Sequence, residues 1–196
     1  MAEKQDRKSE TRERMREAAG RSFREHGYAG IGVDAVAKAA GVTSGAFYAH
    51  FGSKDGAFLQ ALNDGLDQVL GNMPKRQQDE GENWTKAFAE YYLGEAHRAD
   101  RACGCAMTTL SPEVVRADDA VRKVYEEKMD RIVEIMAEGL KGGPLASRRR
   151  RAWAMLGILI GGLTIARAVK NKATFEEISK SVIKAAVDAA GPAKGR

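Results

Sequence analysis

Residues 31–58 read IGVDAVAKAAGVTSGAFYAHFGSKDGAF, and the rest of the chain is best understood from this stretch outward. Apolar residues recur at helical spacing in two short segments, 33–40 and 44–50. Gly41 lies between them, where a left-handed backbone conformation allows a tight turn. Thr43 or Ser44 is placed to cap the second segment. The stretch therefore predicts two short helices joined by a tight turn, with another helix beginning near Lys54.

The second short helix has one apolar side and one side of small and polar residues. Phe47 and Phe51 form the apolar side. The outward-facing residues are Thr43, Ser44, Gly45, Ala46, Tyr48, Ala49 and His50. A small residue at Ala37, a turn residue at Gly41 and an apolar anchor at Phe47 have the spacing of a helix-turn-helix motif. A purely structural αα-corner has the same spacing, so the pattern alone leaves both interpretations open.

The segment GVTSGAFYAHFGSKDGAF closely resembles the tetracycline-repressor (TetR) family of bacterial transcription regulators. The resemblance extends upstream through Thr11, Phe23, Gly27 and Tyr28. It is strong over about residues 9–60, whereas the remainder is similar only in helical layout and length. The resemblance implies that the second short helix is a DNA recognition helix.

Individual DNA-binding roles follow from this resemblance. Thr43 and Ser44 would face bases or phosphate, and Tyr48 and His50 would hold the DNA backbone. Lys54 matches the family's phosphate-contacting lysine. Gly45 and Ala46 complete the predicted DNA-binding set. Gly32 departs from the family pattern, because the Ser or Thr that commonly contacts phosphate there is missing.

The chain has 196 residues, enough for a small domain joined to a larger one. Because no strand pattern or repeat is visible, we predict an all-α fold. Residues 1–10 form a predicted flexible arm, 11–55 a three-helix helix-turn-helix DNA-binding domain, and 56–196 a larger helical domain for ligand binding and dimerisation. Within that domain, the residues after Pro74 predict a loop over 75–81. Ser111 and Pro112 predict the start of one helix reaching Leu140.

Charge is distributed unevenly along the chain. Residues 1–55 contain 10 Lys or Arg and 8 Asp or Glu, residues 56–146 contain 11 and 16, and residues 147–196 contain 11 and 3. The predicted DNA-binding domain is thus only mildly basic. This favours a few well-placed phosphate contacts over strong nonspecific binding of nucleic acid.

The N-terminus is charged throughout and shows no signal peptide. The longest uncharged apolar run, residues 152–166, is 15 residues long, short of the roughly 20 that span a bilayer. Cys103 and Cys105 are separated by one residue, which disfavours a structural disulfide between them and fits a reducing compartment. We therefore expect a cytoplasmic protein without membrane association.

No constellation for catalysis is visible. The three histidines, His26, His50 and His97, lie far apart and lack the spacing of metal ligands. There is also no Gly-rich phosphate loop. We predict that the chain is not an enzyme and has no catalytic residue, metal site or cofactor.

A small-molecule effector is expected in the larger domain, since the family resemblance implies a ligand cavity there. The aromatic residues available for it are Trp84, Phe88, Tyr91 and Tyr92, and Cys105 and Met107 complete the predicted effector-binding set. Packing in the core explains each aromatic residue equally well.

The resemblance also implies that the last two helices pair with their symmetry mates in a dimer. The predicted interface residues are Trp153, Leu156, Ile160, Leu163, Phe175, Ile178 and Val182. Gly157, Gly161 and Gly162 would permit close helix approach. The preceding run Arg148, Arg149, Arg150 and Arg151 is interpreted either as a solvated helix start or as a patch for an anionic partner.

These observations predict a homodimeric, TetR-like repressor that reads a palindromic operator in double-stranded DNA and is released by a small molecule of unknown identity. Three alternatives stay open. The first is a regulator that senses redox state through Cys103 and Cys105. The second is an unregulated basic helical binding module, and the third is a protein of the membrane surface.

Overall fold

The computed structural model describes residues 2–102 and 104–191, with side chains from residue 7 onward. Every regular element in this part of the chain is helical, which confirms the predicted all-α class. The helices are α1 (Ala2–His26), α2 (Val33–Ala39), α3 (Ser44–Phe51), α4 (Lys54–Glu80), α5 (Trp84–Tyr92), α6 (Glu95–Ala99), α7 (Ala106–Thr109), α8 (Ser111–Val114), α9 (Asp119–Gly139), α10 (Leu145–Ala168) and α11 (Lys172–Ala190). A 3₁₀ turn, Gly81–Asn83, precedes α5.

The helices form two compact units. The first comprises Met1–Leu66 and Arg101–Tyr125, and the second comprises Asp67–Asp100 and Glu126–Arg196. The first unit thus includes the helix-turn-helix segment together with α7 and α8. The predicted domain boundary at residues 55 and 56 stays a prediction.

The first unit is organised around an aromatic core. Phe23 of α1 is fully buried, and its ring meets the ring of Phe58 of α4 edge to face, with centroids 5.5 Å apart. Phe47 of α3 is 1% exposed, and Phe51 packs against the buried Met15 and its neighbours. Phe23 and Phe58 thus join α1 to α4, and Met15 and Phe51 join α1 to α3.

Helix α7 packs closely in the same unit. The Arg24 Nε of α1 donates a hydrogen bond to the Ala102 carbonyl over 2.8 Å. A Cβ placed on Gly65 of α4 would lie 2.6 Å from the Cβ of Ala106, closer than real Cβ contacts come. Gly65 therefore provides the space that α7 occupies.

The second unit is built on the pairing of α10 with α11. A Cβ on Gly162 would lie 2.3 Å from Val182 Cγ1, so this glycine permits the close approach of the two helices. Gly157 and Gly161 are exposed and have no neighbouring atom within 4 Å of such a Cβ. Of the three glycines expected to allow close approach, Gly162 does so within the protomer.

The run of four arginines at the start of α10 is largely occupied by bonds within the second unit. Arg148 donates to the carbonyls of Ala137 and Leu140 at the end of α9. Arg149 bonds to Asp130, and Arg151 donates to the Ala190 carbonyl of α11 over 2.8 Å. The predicted solvated helix start is therefore wrong for these three. They satisfy carbonyls at helix ends or pair with a carboxylate.

Helix α10 is, within the described residues, the one helix long and apolar enough to cross a membrane by length and composition. It has 24 residues, and its most apolar 18-residue window has a mean hydropathy of 1.2, with 39% of that window buried in the protein. Core helices meet the same criterion. Because α10 extends beyond the 15-residue apolar run, the length of that run no longer argues by itself against a membrane span.

Three predicted element boundaries differ from the structure. Helix α1 starts at Ala2, so residues 2–10 of the predicted arm are helical, and the Thr11 hydroxyl donates to the Arg7 carbonyl as a residue inside a helix does. These residues contain no Gly or Pro, and most of them favour helix.

The predicted loop over 75–81 is also wrong up to Glu80, because α4 continues through Pro74. Beyond the proline, the Gln77 amide donates to the Ile135 carbonyl over 2.9 Å, and Met73 before it is 3% exposed. Packing around this turn stabilises the helix despite the hydrogen bond lost at proline.

The helix predicted from Ser111 to Leu140 is divided into α8 and α9. Asp118 ends the break between them, since its carboxylate accepts from the Val121 N–H over 2.9 Å. Such a cap competes with continuation of the preceding helix.

Candidate nucleic-acid interface

The turn between α2 and α3 has the geometry that the sequence predicts. Gly41 has a φ of +66°, in the left-handed region, and the Val42 N–H bonds back to the Ala37 carbonyl over 3.0 Å. Thr43 is the N-cap of α3, because its hydroxyl oxygen accepts from the Ala46 N–H over 3.2 Å. These contacts confirm the predicted roles of Gly41 and Thr43 in the turn.

Helix α3 buries Phe47 and exposes an outer surface made mostly of small residues. Phe47 is buried, whereas the Tyr48 side chain is 52% exposed. Gly45 and Ala49 lie on the exposed part of the helix and Ala46 is partly exposed. Because these side chains are small, a bulky partner can approach the helix backbone closely.

Ser44 is held by a residue of the preceding helix. Its hydroxyl donates to the Asp34 Oδ1 over 2.5 Å. A serine hydroxyl has one proton and two lone pairs. With the proton used by Asp34, Ser44 offers only acceptor lone pairs to any further partner.

Lys54, at the first position of α4, is positioned by an aromatic ring. Its Nζ lies 4.4 Å from the centroid of the Tyr28 ring, within the range of a cation–π contact. The Tyr28 hydroxyl donates to Asp55 Oδ1 over 2.5 Å. That hydrogen bond, with smaller contributions from burial and from the Asp55 charge, raises the pKa of Tyr28 to about 12. The ring therefore stays neutral and fixed beneath the lysine at neutral pH.

His50, at the other end of α3, has a basic neighbour that the sequence analysis missed. The Arg12 Nε of α1 donates to His50 Nδ1 over 3.5 Å. Burial, followed by the charges of Arg12 and Arg16, lowers the pKa of His50 below its usual value. The imidazole is therefore neutral at pH 7, and its Nε2–H remains a donor. Since the two residues lie 38 positions apart, no local pattern indicates their contact.

The predicted effector residues are divided between the two units. In the second unit, Phe88 and Tyr92 are buried with ring centroids 5.5 Å apart, and Tyr92 also meets the His97 ring. Tyr91 is 55% exposed and lies beneath the Arg76 guanidinium. In the first unit, Met107 is fully buried and Cys105 is half-buried. Core packing thus accounts for the buried members of the set.

Trp84 lines a cavity of about 280 Å³ in the second unit. The indole N–H donates to the Gly139 carbonyl over 3.1 Å, which fixes the ring at one wall. The other lining residues are Gln77, Gly81, Glu82, Thr85, Glu138, Gly139, Leu140, Lys141 and Gly191. Of these lining residues, Trp84 alone belongs to the predicted effector-binding set, because the others come from separate elements and connections that no local pattern links.

The predicted interface residues differ in exposure. Leu156 and Leu163 are fully buried within the protomer and Phe175 is 7% exposed, so these three pack inside the second unit. Ile160, Ile178 and Val182 are partly buried, and Trp153 is 44% exposed. Ile165, which the prediction omitted, is 57% exposed on α10. Their participation in a dimer stays a prediction.

The turn and the exposed helix α3 that follows it have the architecture of a helix-turn-helix DNA-binding domain. Residues 16–61 match the model of the tetR family of bacterial regulatory proteins. Residues 16–61 therefore form a DNA-binding domain of this family, and the comparisons support a TetR-family transcriptional regulator, as the resemblance implied.

Curated relatives agree with this assignment. The chain is 27% identical over 152 residues to the transcriptional regulatory protein RaaS of Mycobacterium tuberculosis, a match covering 76% of this chain and 66% of RaaS. It is 24% identical over 179 residues to the transcriptional regulator LmrA of Bacillus subtilis, covering 88% of this chain and 95% of LmrA. Both relatives are helix-turn-helix regulators by name.

Solved structures share the fold over nearly the whole chain. A TetR-family regulator from Cytophaga hutchinsonii has a TM-score of 0.74 at 20% identity, covering 91% of this chain and 94% of its own. FadR of Bacillus subtilis, solved with stearoyl-CoA, has a TM-score of 0.68 at 17% identity, and the match covers 90% of this chain and 97% of FadR. A regulator from Saccharomonospora viridis, solved with choline, has a TM-score of 0.70 at 16% identity, and the match covers 90% of this chain and 95% of that regulator.

Proposed function

We propose that this protein is a repressor that binds a palindromic operator as a homodimer and is released from it by a small-molecule effector. The observation that carries the proposal is the outer surface of α3. Its capped N-terminus and small side chains at Gly45, Ala46 and Ala49 fit close approach to base edges in a major groove. Thr43 and Ser44 contact bases or phosphate in this proposal.

The residues around this surface supply phosphate contacts. Tyr48 is exposed and presents a hydroxyl, His50 has an Nε2–H donor, and Lys54 provides a positive charge at the start of α4. Such contacts hold the DNA backbone and contribute affinity that does not depend on sequence. Three phosphate contacts beside α3 are consistent with the modest net positive charge of residues 1–55, which does not favour strong nonspecific binding.

Dimerisation would bring two copies of α3 to the two halves of a palindrome. The exposed surface of α10 supports this part of the proposal, because Trp153, Gly157, Gly161 and Ile165 recur at helical spacing and leave an apolar, small-residue face uncovered. Apolar faces with small residues allow helices of two subunits to pack closely. Ile160, Ile178 and Val182, which are partly buried, would extend the contact.

A compact effector suits the second unit better than a long one. The cavity beside Trp84, about 280 Å³, is slightly smaller than the roughly 300–1,000 Å³ typical of small-molecule sites. Choline, the ligand of the Saccharomonospora viridis structure, is compact, whereas stearoyl-CoA in FadR is far larger. Binding in this unit would change the separation of the two recognition helices and so release the operator. We further propose a cytoplasmic location, without membrane association.

Selection of binding sequences from a random duplex library, followed by fluorescence anisotropy on the selected duplex, tests the function. We expect a selected site with two-fold symmetry. The affinity for it should exceed that for unrelated DNA by a factor of about 10³ or more at physiological salt. Equal affinity for selected and unrelated duplexes would instead favour an unregulated basic binding module. Flotation with anionic liposomes in the absence of DNA would favour the membrane-surface alternative.

A further inference from the structure

A groove of about 700 Å³ runs between α1 and α3 in the first unit. One wall is formed by residues spaced along α1 at successive helical turns, and the other by the exposed end of α3. The lining residues are Lys8, Ser9, Thr11, Arg12, Met15, Ala46, Ala49 and His50. Since Ala46 and Ala49 are small, the α3 wall leaves the groove open.

The groove is positively charged. Lys8 and Arg12 lie one helical turn apart on α1 and are both exposed, and none of its described lining residues is acidic. Glu10, Glu13 and Glu17 lie at helical positions on other sides of α1. The polar remainder, Ser9, Thr11 and His50, can donate or accept hydrogen bonds. A cationic groove with hydroxyl and imidazole groups suits a phosphodiester chain.

Arg12 is oriented across this groove. Its Nε donates a hydrogen bond to His50 Nδ1 over 3.5 Å. The two terminal nitrogens of the guanidinium can therefore donate to another acceptor. His50 in turn keeps its Nε2–H. Two donors from different helices are thereby held side by side, which is the arrangement that binds adjacent phosphate oxygens well.

We infer that this groove holds the sugar-phosphate backbone flanking the operator half-site. In this arrangement, Arg12 is a phosphate-contacting residue oriented by His50, and Lys8 extends the contact along α1. The inference rests on the proposed insertion of α3 into the major groove. It adds the N-terminal helix to the DNA-binding surface, which otherwise consists of α3 and the start of α4.

The test compares Arg12→Gln with Arg14→Gln by fluorescence anisotropy on the selected operator and on an unrelated duplex, each over a range of salt concentration. Arg14 is an exposed arginine of the same helix that does not line the groove, so both variants remove the same charge. For Arg12→Gln, we expect weaker binding to both duplexes. The slope of log affinity against log salt should fall by about 0.9 per subunit for each phosphate that is no longer neutralised. Arg14→Gln should keep the wild-type slope.

A double-mutant cycle tests the orientation by His50. If His50 positions Arg12, Arg12→Gln and His50→Ala together should cost less affinity than the sum of the two single changes. Additive losses would overturn this part of the inference. Thermal unfolding of each variant shows whether it folds like the wild type, as expected because Arg12 is exposed and His50 is only partly buried.

Two negative results are distinguishable. If the wild type binds neither the operator nor unrelated DNA, both the proposed function and this inference fail. If the wild type binds a symmetric operator but Arg12→Gln and Arg14→Gln have the same slope, the inference alone fails. Lys8→Gln gives a second reading, since it should lower the slope as Arg12→Gln does.

Discussion

The polar residues around α3 are held in place by partners outside the recognition helix. Asp34 accepts a hydrogen bond from the Ser44 hydroxyl, the Tyr28 ring lies against the Lys54 ammonium group, and Arg12 donates to His50. Fixing a side chain before binding reduces the entropy cost of binding DNA. Mutation of these supporting residues should therefore affect DNA binding as mutation of the contacting residues does.

Lys54→Ala should weaken binding to all DNA sequences. A lysine that contacts phosphate adds affinity without base choice, so the salt slope should fall by up to about one unit per subunit. Anisotropy titrations at several salt concentrations measure both effects. Lys86→Ala, at an exposed lysine of the second unit, is the matched control. Unchanged slope and affinity in Lys54→Ala would remove Lys54 from the interface.

Asp34→Ala should change which base is preferred near Ser44. While Asp34 holds the hydroxyl proton, Ser44 can only accept, which favours the amino groups of cytosine or adenine in the major groove. Without Asp34 the hydroxyl can also donate, so guanine and thymine become acceptable. Competition among operator variants, each substituted at one base pair, measures the relative preference for each base. This measurement is independent of any general increase in DNA affinity caused by removal of the negative charge of Asp34. An unchanged preference profile would show that Ser44 does not read a base through this hydroxyl.

Much of this interface could be predicted from the sequence, because its local part depends on local rules. Gly41, Thr43 and Phe47 have the predicted roles in turn, cap and core. The supporting contacts could not be predicted. Arg12 and His50 are joined only by the packing of α1 against α3, and no periodicity encodes that relation.

Among the helices, those with caps and clear periodicity agree with the sequence-based prediction within a residue or two. Helices α2 and α3 are predicted at 33–40 and 44–50 and are found at Val33–Ala39 and Ser44–Phe51. The differences occur where tertiary contacts override local signals. Pro74 does not end α4, because Met73 before it is buried and Gln77 after it bonds to the Ile135 carbonyl. The Asp118 cap divides a segment whose periodicity predicts one helix.

The close pairing of α10 and α11 makes Gly162→Ala a sharp test of packing. The added methyl group would overlap Val182, and overpacking of this kind costs about 1–3 kcal/mol. Gly71→Ala on α4 meets no neighbour and should gain up to about 1 kcal/mol from helix propensity. Urea unfolding at a fixed protein concentration should therefore rank the two variants on opposite sides of the wild type. A Gly162→Ala protein as stable as Gly71→Ala would mean that the helices are further apart.

Ile165→Asp should produce monomers that keep their helical fold. The side chain is 57% exposed in the protomer, so a charge there disturbs only a contact made by another subunit. Size-exclusion chromatography with light scattering measures the mass, and circular dichroism the helix content. Val115→Asp, at an apolar side chain that is 76% exposed, should remain dimeric.

Leu156→Asp should behave differently from Ile165→Asp. Because Leu156 is fully buried inside the protomer, an aspartate there should lower the free energy of unfolding by several kcal/mol whatever the state of assembly. A stable, dimeric Ile165→Asp protein would show that the interface lies elsewhere.

For the molecule as a whole, regulation by ligand and regulation by redox state make different predictions about the cysteines. Cys105 is half-buried before α7, and Cys103 lies outside the described residues. A cysteine of this kind usually behaves as a small apolar group. We expect the double change Cys103→Ser with Cys105→Ala to leave operator binding and its release by effector intact. Operator binding that peroxide abolishes in the wild type but not in this variant would instead identify a redox sensor.

The central claim is that two copies of α3, held in one dimer, read a symmetric operator. Hydroxyl-radical footprinting on DNA flanking the gene tests it most directly. We predict two protected half-sites related by two-fold symmetry, with centres about 34–36 Å apart or at multiples of that spacing. The protection should be lost in the monomeric Ile165→Asp variant. A single asymmetric footprint would contradict the claim. So would uniform protection that an unrelated competitor DNA abolishes as effectively as operator DNA does.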